Sequence, residues 1–532
     1  MQLKILKRIF FWLLLVSFIG LSVIWILYVP YRPQHLYRLL PANTEFMSHH
    51  RYLADRWDTV LANPLMQALL DSAGLDVEEL QAWSVDPEIR PWIDQLLARD
   101  FILAYSPALG PTQEPGWILA GWIGGESVRL RWLLKRGQLD GITAHGRSGG
   151  GMYWQVETDD AVREHLSVAV AEGMLYGVIS MDPHAVRHLI DLYDGVTPGY
   201  TRVHGPPPSI RHDDAAPLDK GWFVGRNPDG APTTYTYAIN QLDEHALDGA
   251  LSMPWSTPLP PQPETSPEQA ARLFGDIPFL MLSAHPQVVA ALAPHDTAPL
   301  ARALIDEWVP ALEREQVVLA LTGGDYTGSY LNFSIPALTL AWPSADPEAD
   351  VARLYAVLDR LNAAHQWGLV ASLQRAGARP LYVVESTVST PYSLLRSRER
   401  VAFSVVDDWI IVSSHLRPLQ RLLDRFESPA ALLEADDAGW KQGLQAQPSS
   451  LYGYWNIRGG ARTLRLALYS YGLKLRIEDR QGSREMRALL DEFRIWLDRL
   501  VALQEAHVWL DHADGHVLAR VRLGVLEDEE NP

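Results

Sequence analysis

Two stretches of this chain, about 235 residues apart, follow the same pattern. His165–Ser180 reads HLSVAVAEGMLYGVIS and Arg400–Ser414 reads RVAFSVVDDWIIVSS. Each holds two apolar runs of strand length, a two-residue polar turn between them, and a helical pattern directly afterwards. Runs that close together must pair as a hairpin, and the helix that follows must pack on the sheet it leaves. Phe46 and Met281, in the first strands of the two segments, keep nearly the same offset. A repeated order of elements at a fixed offset indicates a tandem duplication.

The expected fold class is therefore α+β: tandemly repeated antiparallel-sheet lobes with helices packed on one face. The first lobe is expected over residues 40–195 and its copy over 271–427. A partial third copy is expected over 428–526. There Met486, Leu489, Leu490, Phe493, Leu497, Leu500 and Leu503 share one face of a helix, and a last hairpin turns through Asp514-Gly515. A half unit cannot bury its own apolar face, so its strands are expected to complete a neighbouring sheet. Residues 196–270 include MPWSTPLPPQPETSP and the triplet Pro206–Pro208, and are expected to form an extended linker with a small strand insertion.

Residues 1–30 call for a different environment. Ile9–Val29 is uncharged and apolar, long enough to cross a hydrocarbon core of about 30 Å. Lys4, Lys7 and Arg8 precede it, so the expectation is a single-pass signal anchor with a cytoplasmic tip. The bulk of the chain would then lie outside a bacterial inner membrane, in the periplasm. The expected partners are the membrane, through this one helix, and an envelope protein. Cysteine is absent, which excludes disulfides, thiolate catalysis and Cys-ligated zinc. The formal net charge of −18 repels nucleic acid, whose binding needs Lys and Arg against phosphate.

Three segments carry a family likeness: LPANT at Leu40–Thr44, the hairpin SVVDDWIIVSS, and the run SPAALLEADDAGWKQGLQAQPSSLYGYWNI from Ser428 to Ile457. Together they resemble a bacterial family of membrane-anchored, extracytoplasmic proteins built from repeated sheet-and-helix units. The resemblance implies that architecture over most of residues 40–525. It carries no catalytic residues, so it assigns no site here.

Gly146-Arg147-Ser148-Gly149-Gly150 matches the G-x-S-x-G nucleophile elbow, with Ser148 as nucleophile and His165 or His184 as its base. The elbow needs a helix after the serine, whereas three glycines and a strand pattern follow, so a hairpin loop is the favoured reading. His512, Asp514 and His516 have a spacing compatible with metal ligation, but the Asp-Gly turn already explains the aspartate. His212-Asp213-Asp214 could hold a hard cation only as an exposed loop. His49-His50 would face opposite ways from a strand, which argues against joint ligation. Asp407-Asp408 is explained by its turn. No phosphate-binding glycine loop, dinucleotide fingerprint or H-E-x-x-H occurs, and no cofactor is expected. The expectation is a non-enzymatic binding or scaffolding protein. The alternatives are a serine hydrolase using Ser148 and a receptor for an apolar or glycan ligand between lobes.

Overall fold

The computed structural model describes residues 29–63, 76–87, 89–139, 141–148, 151–157, 165–208, 217–226, 231–243, 246–255, 278–288, 316–322, 337–376, 379–388, 400–426, 449–461, 503–513 and 515–525, with a few isolated positions between them. It divides into two compact units. The first comprises Met1–Ala62 with Leu70–Gln241, and the second Asn63–Leu69 with Leu242–Pro532.

In the first unit, a 3-10 helix at Pro33–Leu39 leads into β1 (Phe46–Arg51) and the helices α1 (Leu53–Ala62), α2 (Val77–Val85) and α3 (Arg90–Leu97). Strands β2 (Asp100–Leu109) and β3 (Glu114–Trp122) precede α4 (Glu126–Lys135). Then come β4 (Ile142–Ser148), β5 (Gly151–Val156), β6 (His165–Ala171), β7 (Met174–Ser180), α5 (Val186–Tyr193) and α6 (Tyr200–His204). The unit closes with β8 (Asp219–Arg226) and β9 (Pro232–Leu242). All described pairings are antiparallel, and they order the strands β9-β8-β1-β2-β3-β7-β6-β5-β4.

The second unit contributes β10 (Ala246–Pro254), β11 (Pro278–Ala284), β12 (Val317–Thr322), β13 (Ala337–Pro343), α7 (Pro347–His365), β14 (Leu369–Ala376) and β15 (Arg379–Ser386). It continues with β16 (Ala402–Val406), β17 (Trp409–Ser413), α8 (Leu416–Phe426), β18 (Leu451–Asn456), β19 (Leu503–Ala513) and β20 (His516–Val525). Its order is β10-β20-β19-β18-β11-β12-β13-β17-β16-β15-β14, again antiparallel throughout.

The two orders superpose strand for strand, β9 through β4 in the first unit running as β19 through β14 in the second. The register agrees as well. Met47 lies opposite Ala104 and Trp222, and Met281 lies opposite Ala320 and Tyr454. Glu172 and Asp407, first in the two-residue turns of the β6–β7 and β16–β17 hairpins, both take positive φ, 36° and 52°. In each unit a late strand, β8 or β18, pairs with the matching early one, β1 or β11. The strands expected to form a partial third copy thus lie in the sheet of the second unit. The long helix read over 484–503 lies outside the described residues except for Leu503.

Several expectations are corrected. The molecule is predominantly antiparallel sheet, and its helices cover both faces of each sheet rather than one. In the first unit, α5 and the 3-10 helix bury Leu189, Ile190, Leu36 and Leu39 against Met47, Ile102 and Ala169. On the other face, α4 sets Leu130 and Leu134 against Trp154 and Val170. The second unit does likewise. Leu419, Leu422 and Leu423 of α8 pack with Ala341 and Ile411, and Leu354 of α7 packs with Trp342 and Ile410. The physical reason is already visible in the strands: runs such as WIIVS and GWILAGW are apolar at consecutive positions, which suits burial on both sides.

The Pro-rich region supplies β8, β9 and β10, because its prolines fall between these strands or at their ends, where no ladder amide is lost. The membrane anchor is also corrected. No helix among the described residues is long and apolar enough to cross a membrane. The apolar run on which the anchor rested lies, but for Val29, outside the described residues. The single-pass topology and the periplasmic placement that depended on it are withdrawn.

Candidate functional site

Among the described residues Ser148 makes no hydrogen bond to a histidine. It ends β4 at a β4–β5 hairpin, not at a strand-to-helix elbow, and its hydroxyl donates to Asp191 Oδ1 on α5 at 3.2 Å. His184 bonds to the Tyr153 hydroxyl at 3.2 Å, and His165 to Gln155 at 3.1 Å. The C-terminal histidines separate too. His512 lies opposite Val517 and His516 opposite Ala513, so in the pleat their side chains leave opposite faces. His512 Nε2 instead reaches the Trp255 carbonyl at 3.4 Å. Asp514 and His212–Asp214 lie outside the described residues. Among the described residues, no three His, Asp or Glu side chains are placed to hold a metal ion.

The polar chemistry that the fold does assemble centres on β1. Its Ser48, His49 and His50 alternate across the sheet, and each histidine finds a carboxylate. On one face, Ser48 Oγ lies 2.8 Å from His50 Nε2, and His50 Nδ1 lies 2.9 Å from Asp219 Oδ1. Arg56 of α1 clamps the same carboxylate with both terminal nitrogens, at 2.8 and 3.2 Å. On the other face, Tyr37 OH lies 2.7 Å from His49 Nδ1, and His49 Nε2 lies 2.8 Å from Asp100 Oδ1. Tyr31 donates to the second oxygen of Asp100.

Burial alone would raise both carboxyls. Hydrogen bonds from His50 and Arg56 outweigh it at Asp219, and those from His49 and Tyr31 at Asp100, so both sit below the ordinary carboxylate range. Burial, aided by the charge of Asp100, pushes the Tyr37 phenol up to about 12.

Ser48, His50 and Asp219 reproduce the connectivity of a nucleophilic triad. Two facts argue against that use. Ser48 is only 3% exposed. Its strand is also paired on both sides, with β2 and β8, so the neighbouring amides belong to sheet ladders rather than to an oxyanion hole. The arrangement is built to hold β1 in register: a paired, hydrogen-bonded charge cluster in a place where an unpaired one would be costly. Sequence reasoning missed it because Asp219 stands 169 positions from His50, inside the Pro-rich region.

Beside this cluster, on the face that carries Ser48 and His50, runs a row of aromatic side chains. Tyr235, Phe223, Phe46, Tyr105 and Trp117 lie directly opposite one another on β9, β8, β1, β2 and β3. Four strand spacings give the row a length of about 19 Å. Phe223 stacks on Tyr235 at 5.1 Å, and Trp117 meets Tyr105 at 5.1 Å and Phe46 in a T-shaped contact at 5.9 Å. The helices on this face pack elsewhere: Leu96 of α3 lies over Gly121, and α4 covers Trp154 and Val170. The row is left open, with Trp117 39% exposed and the other four rings half-buried. No family model, curated protein or solved structure matches the chain.

Proposed function

We propose that this chain is a non-enzymatic glycan-binding protein whose ligand lies along the aromatic row of the first unit. The observation that carries the reading is the row itself: five rings in register on adjacent strands, uncharged and open to solvent. Flat apolar faces of this kind suit stacking against the C–H faces of sugar rings. The net charge of −18 disfavours nucleobases, whose phosphates would be repelled. An open strip also differs from the enclosed pockets that take small apolar ligands.

Electrophoresis through gels containing neutral soluble polysaccharides tests this. The wild-type protein should be retarded by at least one of them, and Trp117→Ala should weaken the binding about tenfold, as expected when the most exposed aromatic anchor of the row is truncated. Circular dichroism serves as the control for folding. No retardation in any gel, or equal retardation of the variant, would remove the proposal.

The triad-like connectivity at Ser48 supports a second reading, a serine hydrolase. A fluorophosphonate probe decides it. Buried Ser48 should stay unlabelled, and labelling that disappears in Ser48→Ala would replace the binding reading with a catalytic one.

A further inference from the structure

A second polar cluster lies on the opposite face of the first unit, where β4 and β5 meet the start of α5. The β4–β5 register shifts between Ala144 and Gly146, which makes His145 the extra residue of a β-bulge. The bulge aims His145 onto His184, with ring centroids 4.8 Å apart and planes 26° from parallel. Tyr153 is the hub beneath them. Arg187 Nε donates to the Tyr153 oxygen at 2.6 Å, and the Tyr153 hydroxyl lies 3.2 Å from His184 Nδ1.

The protons along this chain follow from the donors. Arg187 can only donate, so Tyr153 accepts from it and keeps its own hydrogen free to point at His184 Nδ1. The His184 tautomer that accepts this hydrogen carries its N–H at Nε2, directed away from Tyr153. Burial, with Arg187 and His145 adding, lowers the proton affinity of the His184 ring, so it stands as a neutral donor. Gly146 makes the geometry possible: a Cβ there would lie 2.7 Å from the Tyr153 hydroxyl oxygen. The first glycine of the G-x-S-x-G string thus makes room for a phenol and has no part in a nucleophile elbow.

The charge balance of the cluster is unusual for so acidic a protein. Among the described residues Arg187 forms no ion pair, and its two terminal nitrogens make no hydrogen bond. The carboxylates that flank it in sequence, Asp182 and Asp191, have hydrogen-bond donors of their own. Asp182 accepts from the His184 amide at 2.8 Å and from the Thr112 hydroxyl at 3.0 Å, and Asp191 accepts from Ser148. His145 is exposed, and its ring, which contacts those of Tyr153 and His184, makes no side-chain hydrogen bond among the described residues.

We propose that His145, His184 and Arg187, organised by Tyr153, form a binding site for a phosphate group. The guanidinium supplies paired donors matched to two phosphate oxygens, and the imidazole Nε2–H supplies a third. This site is separate from the glycan reading and stands or falls without it.

Isothermal titration at constant ionic strength with inorganic phosphate, methyl phosphate and acetate tests the proposal on the full chain. Phosphate or its methyl ester should bind, with acetate about tenfold weaker. Arg187→Gln should weaken the phosphate interaction about tenfold. His145→Ala, at an exposed position that leaves the core intact, should weaken it several-fold. A preference for methyl phosphate would assign the site to a phosphomonoester, and a preference for the inorganic ion to free phosphate. Absence of binding by wild type at millimolar concentration, undiminished binding in both variants, or acetate binding as tightly as phosphate would each overturn it.

Discussion

Asp219 shows how a single side chain can decide the state of a strand. It accepts from His50 and from both terminal nitrogens of Arg56 while nearly fully buried, so removing its charge strands two partners in a dry place. Asp219→Asn should therefore lower stability at pH 7 by about 3 kcal/mol, measured by urea unfolding. The pH dependence fixes the mechanism. The folded carboxyl titrates below its unfolded value, so its stabilisation is complete above about pH 4 and is lost as pH falls through the depressed folded value. The difference between wild type and variant should narrow when unfolding is repeated at pH 3. A constant difference from pH 7 to pH 3 would show that Asp219 acts through shape and not through charge. None of this is legible in SHHR as a string. Adjacent histidines on a strand announce only that they face opposite ways. Their partners Asp100 and Asp219 lie 51 and 169 positions away, beyond any local pattern. Conversely, the G-x-S-x-G string is conspicuous as a pattern, yet the fold gives its first glycine a steric task and its serine an aspartate partner.

Hairpins were the readable elements. The β6–β7 and β16–β17 pairs announce themselves because turn chemistry and two apolar runs lie within sixteen residues, and α5 is preceded by Asp182-Pro183, a local start signal. By contrast, β8 and β10 were hidden by surrounding prolines, and β4 by a polar, mostly exposed sequence that lacks alternation. The covering of both sheet faces could have been inferred from consecutive apolar positions, yet the same runs also fit a one-sided sheet with an apolar outer patch. Close approach of strands is likewise invisible until register is known. Gly221 lies opposite Ser48, and a Cβ there would overlap the Met47 carbonyl and come within 2.7 Å of the Tyr237 hydroxyl oxygen. At its counterpart Gly453 the one tight contact is with the flexible end of Leu282, at 3.1 Å, and Val508 stays at an ordinary 3.8 Å. Gly221→Ala should thus cost about 2–3 kcal/mol, because backbone cannot yield, whereas Gly453→Ala should cost under about 1 kcal/mol. Paired calorimetric scans check this. Equal losses would mean that the two positions are not packed as differently as their neighbours imply.

At the level of the whole molecule, the duplicated element order was readable because it depends on sequence spacing. The number of compact units was not, since strands counted toward a third copy lie in the sheet of the second unit, and an apolar N-terminal run invited a membrane topology that the described residues do not support. What the structure adds is that each unit owns its core. Trp222 is fully buried among Met47, Ile102 and Leu189, whereas Met281, Ala341, Ile411 and Leu422 form a separate cluster in the other unit. Units with separate cores open separately when one is weakened. Trp222→Ala leaves a large cavity worth about 3–5 kcal/mol, and that loss should fall on the first unit. Hydrogen–deuterium exchange followed by mass spectrometry reads the outcome peptide by peptide. Amides of β1, β2 and β8 should exchange faster by two orders of magnitude or more, while those of β11, β12 and β17 keep their wild-type rates, because the cavity adds nothing to the cost of opening a core it does not touch. Acceleration of equal size in both sets would show that the two duplicated sheets unfold as one cooperative body, with separate clusters of side chains but a single folding transition.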